Sequence, residues 1–164
     1  MIPTVRLIGN AKLIARIEAM PASVAASLLR KVYSLALKLE NYIKQNKLSG
    51  QVLNRKSGRL MRSIANKVEQ TGQSIYGIVF QSADVPYGGI HEFGGKTAPH
   101  VIVPKKASVL AFNWKGKNVF FKRVNHPGSH FPERSYMRSA LRDMSTEISL
   151  GLKAAVVEGL KQAK

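Results

Sequence analysis

The sequence has no cysteine and few acidic residues. Without cysteine the chain forms no disulfide and offers no thiolate to a metal ion, which fits synthesis in a reducing cytosol. Nine Asp and Glu stand against 26 Lys and Arg, so the net charge is +17 at pH 7. A charge imbalance of this size indicates an anionic partner, whether a nucleic acid, an acidic protein surface or an anionic membrane.

Long apolar runs are also missing. The longest weakly charged stretch near the start, 17–29, contains Glu18 and Pro21, and it is shorter than the roughly 20 apolar residues of a spanning helix. Arg6 and Lys12 interrupt the region where a secretory signal needs a compact apolar segment. We therefore expect no membrane partner and a protein that is cytosolic when made.

What is present suits a folded domain. The chain has 164 residues, of which 45% are hydrophobic and 21% charged, so it can build a core of its own. This length predicts a single domain over 1–164.

Apolar side chains recur at three- and four-residue steps in two long segments, as in amphipathic helices. The first segment predicts a helix over 22–47, and the second predicts a helix that begins near Pro132 or Glu133. The expected buried stripes are Leu28, Val32, Leu35, Leu39 and Tyr42 in the first helix, and Met137, Leu141, Met144, Ile148, Leu152, Val156 and Leu160 in the second. Shorter helical turns are expected after Asn10 and after Ser57, which can cap them.

Between the long helices the period changes to that of strands. Segments 67–70 and 74–80 predict one hairpin, and 109–114 and 119–124 predict a second. We expect the second hairpin to place its aromatic side chains in the sheet core, namely Phe112, Trp114, Phe120 and Phe121. The predicted fold is α+β: an antiparallel sheet of about four strands packed against the two long helices, with a short helix between them. Basic loops near 48–57 and 95–107 are expected to be exposed and mobile.

Catalytic and metal-binding patterns are weak. His91 and Glu92 resemble the start of a zinc-protease motif, but the second histidine of that motif is replaced by Gly95. His126 and His130 are separated by a Pro-Gly pair that disfavours a helix. Since no carboxylate pair or nucleophile motif is present either, we expect a protein that is not an enzyme and has no metal or cofactor. A small basic nuclease using His91, Glu92 or His126 is the weakest alternative.

Positive charge is concentrated in two stretches that contain no acid. Seven Lys and Arg lie between Glu40 and Glu69, and seven more lie between Glu92 and Glu133. Any single lysine here is more simply a solvated surface residue, but the two stretches together indicate contact with phosphates or with an acidic protein surface. A nucleic-acid-binding protein without sequence specificity is therefore an alternative function, because no base-reading motif is visible.

Three segments in order resemble the motifs of phage tail-completion proteins, the group that includes minor tail protein Z. LNRKSGRLMRSI at 53–64 resembles the family's Thr/Ser-Gly-x-Leu-x-x-Ser-Ile element. PYGGIHEFGG at 86–95 resembles Tyr-Ala-x-x-x-Glu-Phe-Gly, with Gly88 where alanine is usual. PERSYMRSAL at 132–141 resembles Pro-x-Arg-x-Phe/Tyr-Leu-x-x-Ala, with Met137 where leucine is usual.

The resemblance implies a structural virion protein of a long-tailed bacteriophage or prophage. Such a protein would complete or terminate the tail tube at the head–tail junction and join it to the neck. It would form a homo-oligomeric ring, with a hexamer as the expected form, and its partners would be neck and tail-tube proteins and, nonspecifically, DNA passing through the channel. It would reside in the tail or neck of the virion after assembly in the host cytoplasm.

The candidate interface or DNA-facing residues combine the basic stretches with the motif residues. They are Lys44, Lys47, Arg55, Lys56, Arg59, Arg62, Tyr87, Glu92, Phe93, Lys105, Lys106 and Arg134. A purely structural interpretation of the second motif is equally open, in which Phe93 fills the core and Glu92 caps a helix or pairs with an arginine.

Overall fold

The computed structural model of the chain describes residues 4–8, 22–72 and 74–162. Within those ranges the helices are α1 (Ala22–Asn46), α2 (Arg59–Arg62), α3 (Gly88–Phe93) and α4 (Met137–Gln162). The strands are β1 (Thr4–Ile8), β2 (Ile64–Thr71), β3 (Ser74–Gln81), β4 (Gly95–Lys96), β5 (His100–Ile102), β6 (Leu110–Trp114), β7 (Lys117–Phe121), β8 (Val124–His126) and β9 (His130–Phe131). The fold is therefore mixed helix and strand, with a long helix near each end and small antiparallel sheets. The helical turn predicted after Asn10 lies outside the described residues.

The two long helices pack along each other and form most of the core. The main cluster contains Leu35, Leu39 and Ile43 of α1 and Met137, Ala140, Met144 and Ile148 of α4. Both predicted helices are confirmed, although α4 begins at Met137 rather than near Glu133. Its predicted stripe is only partly correct, because Leu160 is 48% exposed while Ala155 and Gly159 are buried. Small residues lie at this contact because the backbones of α1 and α4 approach closely there: a Cβ on Gly159 would lie 2.4 Å from Val24 Cα.

The larger sheet has the strand order β1-β3-β2 and is antiparallel throughout. The first predicted hairpin is confirmed as β2 and β3, which pair from Ile64 opposite Gln81 to Thr71 opposite Ser74. Helix α1 packs on both strands, so Ile64 and Val79 join the core cluster. The expectation of one sheet of about four strands is not confirmed, because the described residues place three strands in this sheet.

The second predicted hairpin forms, but it does not join that sheet. Strand β6 pairs with β7 through a two-residue turn in which Lys115 and Gly116 both have positive φ, the geometry of a tight β-hairpin. Two further antiparallel pairs, β5 with β8 and β4 with β9, continue the same ribbon back towards the helices. We call residues 95–131 the arm.

The aromatic side chains of the arm are exposed, which corrects the prediction that they fill a sheet core. Trp114 is 62% exposed and Phe120 65%, and Phe112 and Phe121 are also exposed. The pattern correctly predicts strand pairing, since aromatic residues favour strands. It does not specify a layer to cover them, and within the described part of the chain the arm's strands pair with one another alone.

The two basic loops are shaped differently. The 48–57 loop is anchored, since Leu48 and Leu53 are buried and the amides of Val52 and Leu53 donate to the Lys47 carbonyl at 3.2 and 3.1 Å. The 95–107 segment is the outgoing half of the arm and contains β4 and β5. Among the residues described, no helix has both the length and the apolar character needed to cross a bilayer.

Candidate functional site

The carboxylate of Glu92 lies at the N-terminus of α4 and is the centre of the best-ordered polar cluster. Glu92 is 1% exposed, because the short helix α3 places it beneath the chain that enters α4. It accepts hydrogen bonds from Ser135 Oγ at 2.8 Å and from the amides of Tyr136, Met137 and Arg138 at 2.8, 2.9 and 3.0 Å. These amides have no partner within the helix, and a negative charge is favourable at this end of the helix dipole. Glu92 is thus the N-terminal cap of α4.

Arg138 completes this cluster from the solvent side. Its Nε donates to Glu92 Oε1 at 3.1 Å, and its Nη2 donates to the Glu92 carbonyl at 2.8 Å and to Glu133 Oε1 at 2.9 Å. The guanidinium carbon lies 4.9 Å from the centroid of the Phe93 ring, in cation–π range. Capping and arginine pairing by Glu92 are both confirmed. The prediction that Phe93 fills the core is wrong, because 43% of its side chain is exposed and its ring packs against the Arg138 guanidinium at the surface.

Behind Glu92, Tyr136 connects α4 to the sheet. Its hydroxyl donates to Gln81 Oε1 at 3.0 Å, and the Gln81 amide nitrogen donates to the Val85 carbonyl. Burial, with the Glu92 charge second, raises the pKa of Tyr136, so its hydroxyl remains a donor across the ordinary pH range. A Cβ on Gly88 would lie 1.7 Å from Gln81 Oε1. The Gln81 side chain thus fills the space that a larger residue at position 88 would need.

Next to this cluster lies a cavity of about 480 Å³ that brings together several of the predicted site residues. We call it the basic pocket. Its lining includes Arg55, Lys56 and Arg59 from one segment of the chain, Tyr87 from a second and Arg134 from a third. Apolar side chains, including Leu48 and Leu53, also contribute to the lining, and His91 completes it. The sequence suggests His91 only as a metal ligand or catalyst, because its neighbours in the chain do not indicate the residues that meet it in this pocket.

The remaining basic candidates do not line the pocket, and two of them are neutralised. Lys44 pairs with Glu40, four residues earlier on α1, and Lys47 donates to Asp143 Oδ2 of α4 at 2.7 Å. The Lys47 hydrogen bond is the main reason that the pKa of the Asp143 carboxyl is lowered. The sequence around Lys47 contains no acid, but in the folded protein α4 supplies a carboxylate that pairs with this lysine.

The other three basic candidates lie at two separate places. Arg62 borders Gly58 next to Arg55, while Lys105 and Lys106 are exposed on the arm between β5 and β6. The arm's lysines and the basic pocket are thus on different parts of the fold.

Sequence reasoning missed the exposed apolar surface of the arm. A second cavity of about 680 Å³ lies along it, lined by residues that include Ile102, Leu110, Phe112, Trp114 and Phe121. One signal could have found it: Val119, Phe120 and Phe121 are consecutive, so both faces of β7 carry large apolar side chains. The side chains of a strand alternate between two faces, and an isolated two-stranded ribbon has no further layer to cover either of them.

Histidines and carboxylates are dispersed in the described ranges. No three of them group there in a way that could hold a metal ion. His100 and His126 stack on the arm with ring centroids 5.0 Å apart, whereas His91 contacts Tyr87 and Phe131 edge to face. The three residues of the nuclease alternative are therefore engaged separately, with Glu92 occupied by the start of α4.

No protein-family model, curated protein or solved structure matches the chain.

Proposed function

We propose that this protein is a structural subunit of a long-tailed bacteriophage or prophage that acts at the head–tail junction. In this proposal it completes the tail tube as a homo-oligomeric ring, with six subunits expected, and contacts the neck and tail-tube proteins. It works in the virion after assembly in the host cytoplasm, and no bond is made or broken. The observation that carries the proposal is the arm, whose aromatic side chains are exposed on the described chain.

An exposed aromatic ribbon fits assembly better than it fits an independent monomer. Contiguous exposed apolar surface marks interaction sites, and the unpaired edges of a two-stranded ribbon can accept further strands. A ring forms when one surface of each subunit binds a different surface of its neighbour and the rotation closes. The arm supplies one such surface.

The arrangement of the three motifs supports the resemblance to tail-completion proteins. Segment 86–95 caps segment 132–141 through Glu92, and residues of 53–64 line the basic pocket with Tyr87 and Arg134 from the other two segments. Each motif alone is weak. If the three motifs together stabilise one fold, they are expected to lie close together in space, as these segments do.

The alternative function is nucleic-acid binding without sequence specificity, which the net charge of +17 favours. In the leading proposal the same cations either face DNA in the ring channel or orient the subunit against acidic neck proteins. The alternative predicts strong binding to DNA or RNA with a steep salt dependence and no defined ring.

The proposal is tested by measuring the mass of the purified protein in solution over a range of concentration and salt. We expect a closed oligomer of defined subunit number, and we expect Trp114→Ser with Phe120→Ser to shift it to monomer. Because both side chains are exposed, helical content and melting temperature should stay close to those of the wild type. The matched control is Tyr33→Ser on α1, a side chain that is 60% exposed and outside the arm.

A wild-type oligomer that both sets of substitutions leave intact would contradict the role of the arm. In a phage that encodes the protein, its deletion should leave filled heads and separate tails. Normal infectious particles without it would refute the assignment to the head–tail junction.

A further inference from the structure

We propose that the basic pocket binds a phosphate oxyanion. The phosphate could come from a nucleic-acid backbone or from a free phosphate in solution, and the chemistry of recognition is the same. This proposal does not rest on ring formation or on the arm.

Cations from separate parts of the chain converge on this pocket. Arg55, Lys56 and Arg59 come from the segment around the start of α2, and Arg134 comes from the chain that enters α4. No Asp or Glu is among the described residues that line the cavity. Arginine is suited to phosphate because its planar guanidinium can donate two parallel hydrogen bonds to two oxygens.

Most of these cations have no carboxylate partner within the described residues. The ion pairs found there include neither Arg55, Lys56 nor Arg134. Arg59 is the exception: its Nη2 donates to the Asp84 carbonyl at 2.8 Å, and Asp84 Oδ2 lies 4.0 Å away. Lys44 and Lys47, by contrast, are neutralised by acids of the helices. Three of the four Lys and Arg residues that line the pocket therefore have no ion pair among the described residues, and the same is true of Lys105 and Lys106 on the arm.

The backbone holds like charges together at its edge. Gly58 has φ +71, a left-handed conformation that favours glycine, and the site of a Cβ there would lie 3.3 Å from Arg55 Nε and 3.2 Å from Arg62 Nη1. Two guanidinium groups thus border the same glycine. Their mutual repulsion is relieved when an anion binds between or beside them.

Part of the pocket lining is apolar and anchored. Leu48 and Leu53 are 3% and 7% exposed, and backbone hydrogen bonds to Lys47 anchor the loop that carries them. Charges next to such a surface are screened less than charges in open water. The volume of about 480 Å³ leaves room for a phosphate that carries an organic group.

His91 provides a reporter inside the pocket. Burial, with the Arg134 charge second, lowers the pKa of its imidazole. The titratable and charged groups that share the pocket with it are Arg55, Lys56, Arg59, Tyr87 and Arg134. A bound phosphate would offset these cations and raise the pKa of His91.

The experiment is a titration of the full chain, followed by the NMR signals of His91 and by calorimetry at constant ionic strength. The probes are inorganic phosphate, a short DNA duplex and a polyglutamate peptide. We expect phosphate to bind saturably and to raise the pKa of His91. Arg55→Gln with Arg134→Gln should weaken phosphate binding by at least about tenfold.

The matched control is Lys105→Gln with Lys106→Gln, which removes the same charge from exposed positions on the arm. It should change phosphate affinity by less than about twofold. Both pairs of side chains are exposed, so melting curves should show that both variants fold.

The probes distinguish the possible ligands. If the duplex displaces phosphate from the His91 signal, the source is a nucleic-acid backbone; if phosphate binds and the duplex does not displace it, the source is a free phosphate. Three results would overturn the proposal: no saturable effect of phosphate, equal weakening by both pairs of substitutions, or a response of His91 to polyglutamate but not to phosphate.

Discussion

Replacing Glu92 tests the central contact of the fold. Glu92→Ala removes the acceptor for Ser135 Oγ and for the amides of Tyr136, Met137 and Arg138, and it leaves those amides without a partner in a buried place. The side chain is 1% exposed, so water reaches the vacated site poorly. We expect a large loss of stability with α4 fraying at its start.

The magnitude follows from the contacts. Loss of a helix N-cap typically costs about 1 kcal/mol, and a hydrogen bond to a charged group contributes about 1.5–3 kcal/mol. Breaking a buried ion pair costs about 3–5 kcal/mol, but Arg138 is half exposed and regains water, so that term is reduced. We therefore expect Glu92→Ala to lower the free energy of unfolding by about 3–4 kcal/mol and Glu92→Gln by about 1–2 kcal/mol, because the amide oxygen still accepts hydrogen bonds.

The assay is urea unfolding followed by helical circular dichroism. Glu133→Ala is the matched control, because Glu133 pairs with the same Arg138 at 2.9 Å but its side chain is 55% exposed. An exposed pair of this kind contributes about 0–1 kcal/mol. If Glu92→Ala and Glu133→Ala destabilise the protein equally, the capping role assigned to Glu92 is refuted.

Two glycines of α4 should respond in opposite ways to alanine. Gly159→Ala should lower the unfolding free energy by about 1–3 kcal/mol, because its Cβ would lie 2.4 Å from Val24 Cα. Gly151→Ala should raise the unfolding free energy by up to about 1 kcal/mol in the same denaturation assay, because the nearest atoms to its Cβ would lie at 3.5 and 3.6 Å. For His91, the lowered native pKa means that the unfolded chain binds a proton first, so the unfolding free energy should be highest above the ordinary pKa of 6.5 and fall as the pH drops towards the native pKa. Arg134→Gln should make this fall smaller, as seen in unfolding curves across that pH range and in the NMR titration of His91, and a larger fall would contradict the assignment.

Local patterns predict the two long helices and the two hairpins of this protein. The spacing of apolar residues gives α1 to within a residue of its end, and the turn at Lys115 and Gly116 marks the tip of the arm. These features depend on a helical period or on the φ angles of two adjacent residues, which neighbouring residues determine. Helix capping or arginine pairing by Glu92 is also among the interpretations that its motif allows.

The partners of these elements depend on the tertiary structure. Glu92 caps a helix that begins more than forty residues later, and Asp143 neutralises Lys47 from the other long helix. Charge counted along the sequence overlooks such pairs, since electrostatic energy depends on distance in space.

The sequence by itself determines the two long helices, the two hairpins and the strongly cationic character of the chain. Only the tertiary structure decides that the aromatic hairpin stands in the exposed arm instead of joining the sheet, and that Arg55 and Arg134 meet in one pocket. A periodic pattern identifies an apolar face but not the surface that covers it, because that surface comes from residues distant in the chain.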